Sequence, residues 1–421
     1  MNVLDVLNQI DSFVWGPPLL ILLVGTGILL TYRLRLLQIF QLKKALSLIF
    51  SAENKGSGDI DSFKALCTAL AATVGTGNIV GVATAIKAGG PGALFWMWMA
   101  AFFGMATKYA EGCLAVRYRE VDSNGEISGG PMYYIEKGLG EKWKPLAILF
   151  AVFGVLTACL GSGTYTQANA IMSSLEVSFG IAPLMTDVVL TILVGIIILG
   201  GLQSIAKAAE KIVPAMAVVY IVAVISLLII NREQLPMAIE LVFVNAFTPT
   251  AAMGGFLGAS VMKGIQSGIA RGIFSNESGL GSAPIVAAAA KTKWPAEQGL
   301  ISMTGTFIDT LIICSLTGLT ILVTGVWNSD LNGVRLTQAA FSTIFSSFGP
   351  VLLTVFLVLF AFTTILGWNY YGERCFEFLF GVKYIRLYRI IFVAMVLLGG
   401  FIELEAVWVI ADIVNALMAL P

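Results

Sequence analysis

The sequence contains no histidine. That single absence removes Ser-His-Asp triads, Cys-His pairs, HExxH metal sites and the usual proton shuttle from consideration. Charge is scarce too. Only 12% of the 421 residues are Asp, Glu, Lys or Arg, and 25 cations balance 25 carboxylates, so the composition gives no reason to expect nucleic acid as a partner. The five cysteines, Cys67, Cys113, Cys159, Cys314 and Cys375, stand far apart inside apolar segments without CxxC spacing. They indicate helix packing rather than a disulfide framework or a zinc site.

What is present is apolar. The hydrophobic set makes up 57% of the chain and the mean hydropathy is +0.88, far outside the range of a soluble domain. The chain reads as an integral membrane protein whose partners are lipid and a small solute. Its start, MNVLDVLNQIDSFVWG, carries Asp5 and Asp11 where a signal peptide carries Lys or Arg, so the first span is expected to be retained.

Charge-free runs mark the spans. Trp15–Tyr32, Ala65–Ile86, Ala88–Thr107, Pro145–Leu175, Val188–Ala206 and Ile212–Asn231 each hold enough apolar residues to cross a core of about 30 Å. Thr310–Ser329 and Leu336–Gly372 follow, the latter long enough for a re-entrant or surface helix at 334–347 before a span near 350–374. Ile390–Ile402 is short but extends toward Tyr384 and Leu404. With residues 254–290, apolar apart from Lys263, Arg271 and Glu277, ten or eleven spans are expected. If the first runs from outside to inside, alternate loops collect 19 of the 25 Lys and Arg on the inner side, which places the N-terminus outside. Between the first two spans, LRLLQIFQLKKALSLIF suits either a helix lying in the inner interface or an ordinary connecting helix. The sequence stops at Pro421, part-way through an apolar segment that begins near Ala406, so the end of the last core helix is expected to be missing.

Lipid offers the main chain no hydrogen-bond partners, so unwound backbone inside a span persists only where protein, solute or ion satisfies it. In ALAATVGTGNIVGVATA (Ala69–Ala85), Gly75-Thr76-Gly77-Asn78 falls at mid-membrane depth behind β-branched Thr73 and Val74. Each glycine there lowers helix stability by roughly 1 kcal/mol relative to alanine. Alone, the run also reads as close helix packing. A second segment, RGIFSNESGLGSAP (Arg271–Pro284), clusters Ser275, Asn276, Glu277, Ser278, Gly279, Gly281 and Pro284, a composition no uninterrupted helix favours. The first segment opens one group of five spans and the second opens another in the opposite orientation. Paired interruptions in two inverted halves point to a transporter site. Free amides at Gly75, Thr76 and Gly77, at the N-terminus of a half-helix, form an anion site for a carboxylate. Freed carbonyls at the end of the preceding half-helix suit a hard cation such as sodium. A dinucleotide-loop reading of GTGNIVG fails on context, because that motif follows a strand.

These residues resemble the alanine or glycine:cation symporter family. The similarity includes ALAATVGTGNIVGVATA, GGPGALFWMWMAAFFGMATKYAE (Gly89–Glu111), SGGPMYYIEKGL (Ser128–Leu139), RGIFSNESGLGSAPIVAAAAKT (Arg271–Thr292), MTGTFIDT (Met303–Thr310) and LGWNYYGERCFE (Leu366–Glu377), and it extends over essentially the whole chain. The resemblance implies an all-α integral membrane fold like that of the bacterial leucine transporter: a five-plus-five inverted-repeat bundle with one extra N-terminal span, about 11 transmembrane helices in all. Residues 1–50 would form the extra span and interfacial helix, 63–231 the first repeat and 254–421 the second, in one transporter domain. The implied activity is not enzymatic. It is sodium-coupled symport of alanine or glycine across the cell membrane by alternating access, with proton coupling or a passive channel as the alternatives.

Carried onto this sequence, the resemblance assigns Thr76, Gly77 and Asn78 to the substrate, with Thr164 and Gln167 from GSGTYTQANA, Ile273, Phe274 and Asn276 from the second interruption, and Trp368 closing the pocket. Ala71 and Val74 carbonyls with the Thr363 and Thr364 hydroxyls would hold sodium. The alternative for the two threonines is a hydrogen bond to a carbonyl one turn back. Glu277 is a functional candidate by its depth, or a partner of Arg271, or a cap on loosened backbone. Asp309 either closes the inner part of its span or meets Arg271. Lys108 and Glu111, one turn apart near the inner end of their span, read as a structural ion pair or a snorkelling pair rather than a relay.

Overall fold

In hydrocarbon a helix satisfies its own main chain, and apolar residues on every side leave it free to face lipid or protein. A computed structural model describes residues 3–51, 56–248, 257–399 and 404–421, and they are helical almost throughout. Residues 254–256, where the second repeat was expected to begin, lie outside the described residues. The regular strands among the described residues are one short antiparallel pair, Glu120–Val121 with Ile127–Ser128. Helical stretches long and apolar enough to cross a membrane are Asp5–Arg33, Glu141–Phe179, Gly201–Ile230, Pro295–Val323 and Phe348–Phe380, joined by the bent pair Ser62–Thr73 and Gly77–Gly89. Shorter apolar helices occupy Pro183–Ile198, Leu235–Phe247 and Trp408–Ala419. Exposed Ile192, Ile196, Val218, Val222 and Ile229 give two neighbouring helices an apolar outer face suited to lipid.

Several charge-free runs divide where the sequence reading joined them. Pro145–Leu175 is two helices, Lys144–Leu160 and Tyr165–Phe179, separated at Gly161–Thr164. Val188–Ala206 crosses a turn at Gly200–Gly201, where Gly201 takes a φ of +66°. Leu336–Gly372 divides as expected, at Ser346, into a first helix Gly333–Phe345 and the long helix Phe348–Phe380, which begins near the expected 350 and runs six residues past 374. In the other direction, the helix expected over Ala88–Thr107 begins at Ala93 and runs through Lys108 and Glu111 to Tyr118. Both charges are buried in protein, so neither ends the helix.

The half-helix Ser62–Thr73 is the central element. Asp61 caps it, accepting from the Lys64 amide at 2.8 Å. Leu66, Leu70 and Ala71 join one large apolar cluster, and Ala65 and Ala72 join another. The long helix Phe348–Phe380 also contributes to both, through Phe360 on one side and Ala361 and Ile365 on the other. Packing on opposite faces holds this half-helix in place, and its frayed end lies between the clusters.

Candidate solute and cation site

The first interrupted helix stops at Thr73. Val74 leaves helical geometry (φ −77°, ψ 88°), a π-helical turn spans Gly77–Gly81, and Val82–Gly89 continues at an angle of 52°. π-turns of this kind recur at functional sites because they free main-chain groups. The Gly75 amide donates to Asn78 Oδ1 at 2.8 Å, replacing a helical bond to Ala71, and the Thr76 amide faces Gln167 Oε1 at 3.4 Å. Two side-chain amide oxygens thus stand on main-chain donors that a carboxylate is suited to occupy. The Thr76 hydroxyl is buried without a hydrogen-bond partner among the described residues.

Gly75, Thr76 and Gln167 border a small cavity of no more than about 210 Å³ of empty space. Ala72, Thr73, Gly75, Thr76 and Gly77 form one wall, Ser162 and Gln167 a second, Phe274 and Glu277 a third, and Thr364 and Trp368 the last. The second wall exists because the helix breaks at Gly161–Thr164. Gly163 lies so close to the Trp368 side chain that a Cβ there would come within 2.8 Å of it. Gln167 Nε2 donates to the Ser162 carbonyl at 3.1 Å, which orients its oxygen toward Thr76.

Among the expected site residues, Thr76, Gly77, Gln167, Phe274 and Trp368 line the cavity. Others turn elsewhere. The Thr164 hydroxyl donates to the Cys159 carbonyl at 2.7 Å, and Ile273 packs in the cluster of Trp15, Leu19 and Leu20. Asn78 and Asn276 lie behind the cavity. For the cation set, the Thr364 hydroxyl sits 3.5 Å from the Val74 carbonyl and 3.0 Å from that of Phe360. Thr363 Oγ1 lies 3.1 Å from the Leu359 carbonyl and 3.0 Å from that of Phe360, one turn back on its own helix, and faces Met216 rather than the break.

A carboxylate joins the two interruptions. Asp309 is fully buried in a π-helical segment, Phe307–Cys314. Its Oδ1 accepts from Asn78 Nδ2 at 2.7 Å, and its Oδ2 accepts from the Ser275 hydroxyl at 2.9 Å and the Thr310 hydroxyl at 2.7 Å. Asn276 Nδ2 donates to Thr310 Oγ1 at 3.0 Å. Asn78 from the first break and Ser275 and Asn276 from the second are therefore held by one side-chain network. The breaks also touch directly, since a Cβ on Gly77 would lie 3.0 Å from Ser275 Cα.

The second break is built on left-handed backbone at Glu277 (φ +55°), Gly279 and Gly281. Glu277 Oε2 accepts from the Ser282 hydroxyl at 2.5 Å, and Glu111 Oε1 accepts from the Gly281 amide at 3.2 Å. Arg271 meets neither Glu277 nor Asp309. It forms a two-pronged pair with Asp412, at 3.0 and 2.5 Å, and its guanidinium lies 5.5 Å from the Phe274 ring. Lys108 and Glu111 are not the close ion pair expected from their spacing. Lys108 Nζ and Glu111 Oε2 are buried without hydrogen-bond partners among the described residues.

The close approach at Gly75 gives a direct prediction. A Cβ there would collide with Thr364 Oγ1 and come within 3.4 Å of Gln167 Oε1. Overpacking of this kind costs about 1–3 kcal/mol, so Gly75→Ala is expected to cut initial-rate uptake at least about fivefold at equal membrane expression. Uptake at the wild-type rate would show that these walls are not the transport site.

Two interrupted helices around one small cavity are a transporter arrangement, and comparison with known proteins agrees. Residues 1–421 match the sodium:alanine symporter family. The chain belongs to that family. It is 56% identical to an uncharacterized transporter of Haemophilus influenzae, over 100% of this chain and 92% of that protein. It is 50% identical to the sodium/alanine symporter AgcS of Methanococcus maripaludis, over 100% of this chain and 93% of that one. Among solved structures, the crystal structure of MhsT in complex with L-phenylalanine superposes with a TM-score of 0.58, at 15% identity, over 82% of this chain and 80% of that one. That likeness concerns the fold alone. The family member described here is a multi-pass membrane transporter of the amino-acid:cation symport class, not an enzyme.

Proposed function

We propose that this transporter carries a small neutral amino acid, alanine or glycine, into the cell together with sodium by alternating access. One observation carries the reading: the break at Val74–Gly77 brings the Gly75 and Thr76 main chain to the wall of one small cavity, while the Val74 carbonyl meets the hydroxyl of Thr364, another residue of that wall. The solute carboxylate takes the Gly75 and Thr76 amides, displacing the oxygens of Asn78 and Gln167. Sodium takes the carbonyls of Val74 and Ala71 and the hydroxyl of Thr364, and Thr363 joins once its hydroxyl rotates away from its own helix. Because both ligands order the same stretch of backbone, each favours binding of the other. Trp368 and Phe274 limit the side chain to hydrogen or methyl, while Ile273, Thr164 and Asn276 hold the walls behind. The scaffold in this reading is an eleven-span, inverted-repeat bundle with its N-terminus outside and its Lys- and Arg-rich face in the cytoplasm. Arg271 and Asp412, above Phe274, close the outer side.

A second reading, proton-coupled symport, draws on Glu277, a carboxylate lining the cavity. Counterflow of labelled alanine in proteoliposomes decides between them. A sodium gradient should drive accumulation and a pH gradient alone should not. Accumulation driven by pH without sodium would favour proton coupling, and downhill equilibration under every gradient would indicate a channel.

A further inference from the structure

Behind the cavity, on the Lys- and Arg-rich face, the ends of the two interrupted helices are fastened together. The chain entering the first half-helix pairs with the chain leaving Ala283–Ala288 through an isolated parallel bridge, Ile60 with Ala290. The Asp59 amide donates to the Ala289 carbonyl and the Lys291 amide to the Ile60 carbonyl, each at 2.8 Å. Glycine makes this approach possible. A Cβ on Gly58 would lie 2.5 Å from the Lys291 nitrogen, and one on Gly56 would lie 2.7 Å from the Thr292 carbonyl.

Arg119 spans the seam. It follows the helix Ala93–Tyr118 and belongs to neither interrupted helix. One guanidinium nitrogen donates to the Ala288 and Ala290 carbonyls at 2.7 Å each. The other donates to the Ser57 carbonyl at 2.7 Å and the Thr292 carbonyl at 3.0 Å. Four carbonyls from two separate segments thus share one cation, whose planar fork suits such a multidentate role better than an ammonium does. The Ala288 and Ala290 carbonyls lie at the C-terminal end of a helix, where a positive charge is also favoured by the helix dipole. The short hairpin that begins at Glu120 adds a second tie, the Ile127 amide donating to Asp59 Oδ2 at 2.8 Å.

We infer that Arg119 is a positioning residue for transport, the latch that keeps the cavity closed toward the basic face. The inference rests on the alternating-access reading above. The first half-helix swings away from Ala283–Ala288 only after the Ser57 side of the Arg119 clamp has let go, so the strength of the clamp sets how often this face opens. Sequence alone gives no sign of this, because Arg119 reads as one more cation in a basic loop.

The cysteines supply the test. Cys67 is free and buried on the first half-helix, less than two turns past Ile60, while Cys375 is free and buried in Phe348–Phe380, which packs against that half-helix, and Cys159 in Lys144–Leu160, which packs against Phe348–Phe380. Site-resolved labelling of the detergent-purified full chain by a polar maleimide should show Cys67 reacting about tenfold faster in Arg119→Gln. Arg119→Lys should fall in between, and Cys159 and Cys375 should stay protected, as expected for loss of hydrogen bonds to a charged group. Unchanged Cys67 reactivity in both variants would overturn the latch. So would a rise shared equally by Cys159 and Cys375, which would mean general loosening. Neither result depends on sodium-driven counterflow, so failure of the latch and failure of the symport reading are separately visible.

Discussion

Replacing Asp309 with alanine is expected to abolish uptake, the largest effect of any single substitution considered. The carboxylate accepts from Asn78, Ser275 and Thr310, and all four residues are buried. Removing it takes the charged acceptor from three donors, at a cost of up to about 1–3 kcal/mol each, and leaves the side chains of Asn78 and Ser275 joined only through the weak acceptor Cys314 Sγ, at 3.4 and 3.3 Å. The loss should be at least about a hundredfold in initial rate, even if the protein still reaches the membrane. Asp309→Asn keeps the shape and one acceptor oxygen and should retain partial activity. Labelled-alanine uptake, normalised to protein in the membrane, checks both. Asp309→Ala within about twofold of wild type would mean that the network is packing without consequence for transport.

Thr364→Ala is expected to act on sodium specifically. Its hydroxyl is the side-chain oxygen that approaches the Val74 carbonyl at the break. A ligand oxygen to a charged group contributes about 1.5–3 kcal/mol, so half-saturating sodium should rise roughly tenfold to a hundredfold, and uptake at fixed sodium should fall with it. Thr364→Ser, which keeps the hydroxyl, should stay near wild type. Sodium titration of uptake reads the effect, and an unchanged sodium dependence in Thr364→Ala would remove Thr364 from the cation site.

The two interruptions are legible in the sequence because glycine, serine and asparagine are costly in the middle of an apolar helix, so their presence there needs a reason. Trp368, Thr364 and Gln167 are legible through the motifs around them. The break at Gly161–Thr164 is not, because Gly-Ser-Gly inside an apolar run reads equally well as a close-packing face. Asp309 is visible as a charge within a span, yet its partners come from two other helices and no local pattern names them. For the same reason Arg271 shows no preference for Asp412 until the fold places them together. Asn78 and Asn276 illustrate the difference between being near a site and facing it. Both sit in the right motifs, but neither lines the cavity: the Asn276 nitrogen is engaged by Thr310, and the Asn78 nitrogen by Asp309, so that only the Asn78 oxygen reaches the break, at the Gly75 amide.

The central claim is that one unwound stretch of backbone, Val74–Gly77, serves the amino acid and the cation together. Binding of alanine to the purified protein, measured by calorimetry in sodium chloride and again in choline chloride, tests it most directly. The account predicts alanine binding at least about tenfold tighter in sodium, equivalent to about 1.4 kcal/mol of coupling, with a reciprocal gain in sodium affinity when alanine is present. Equal alanine affinity in the two salts would contradict it.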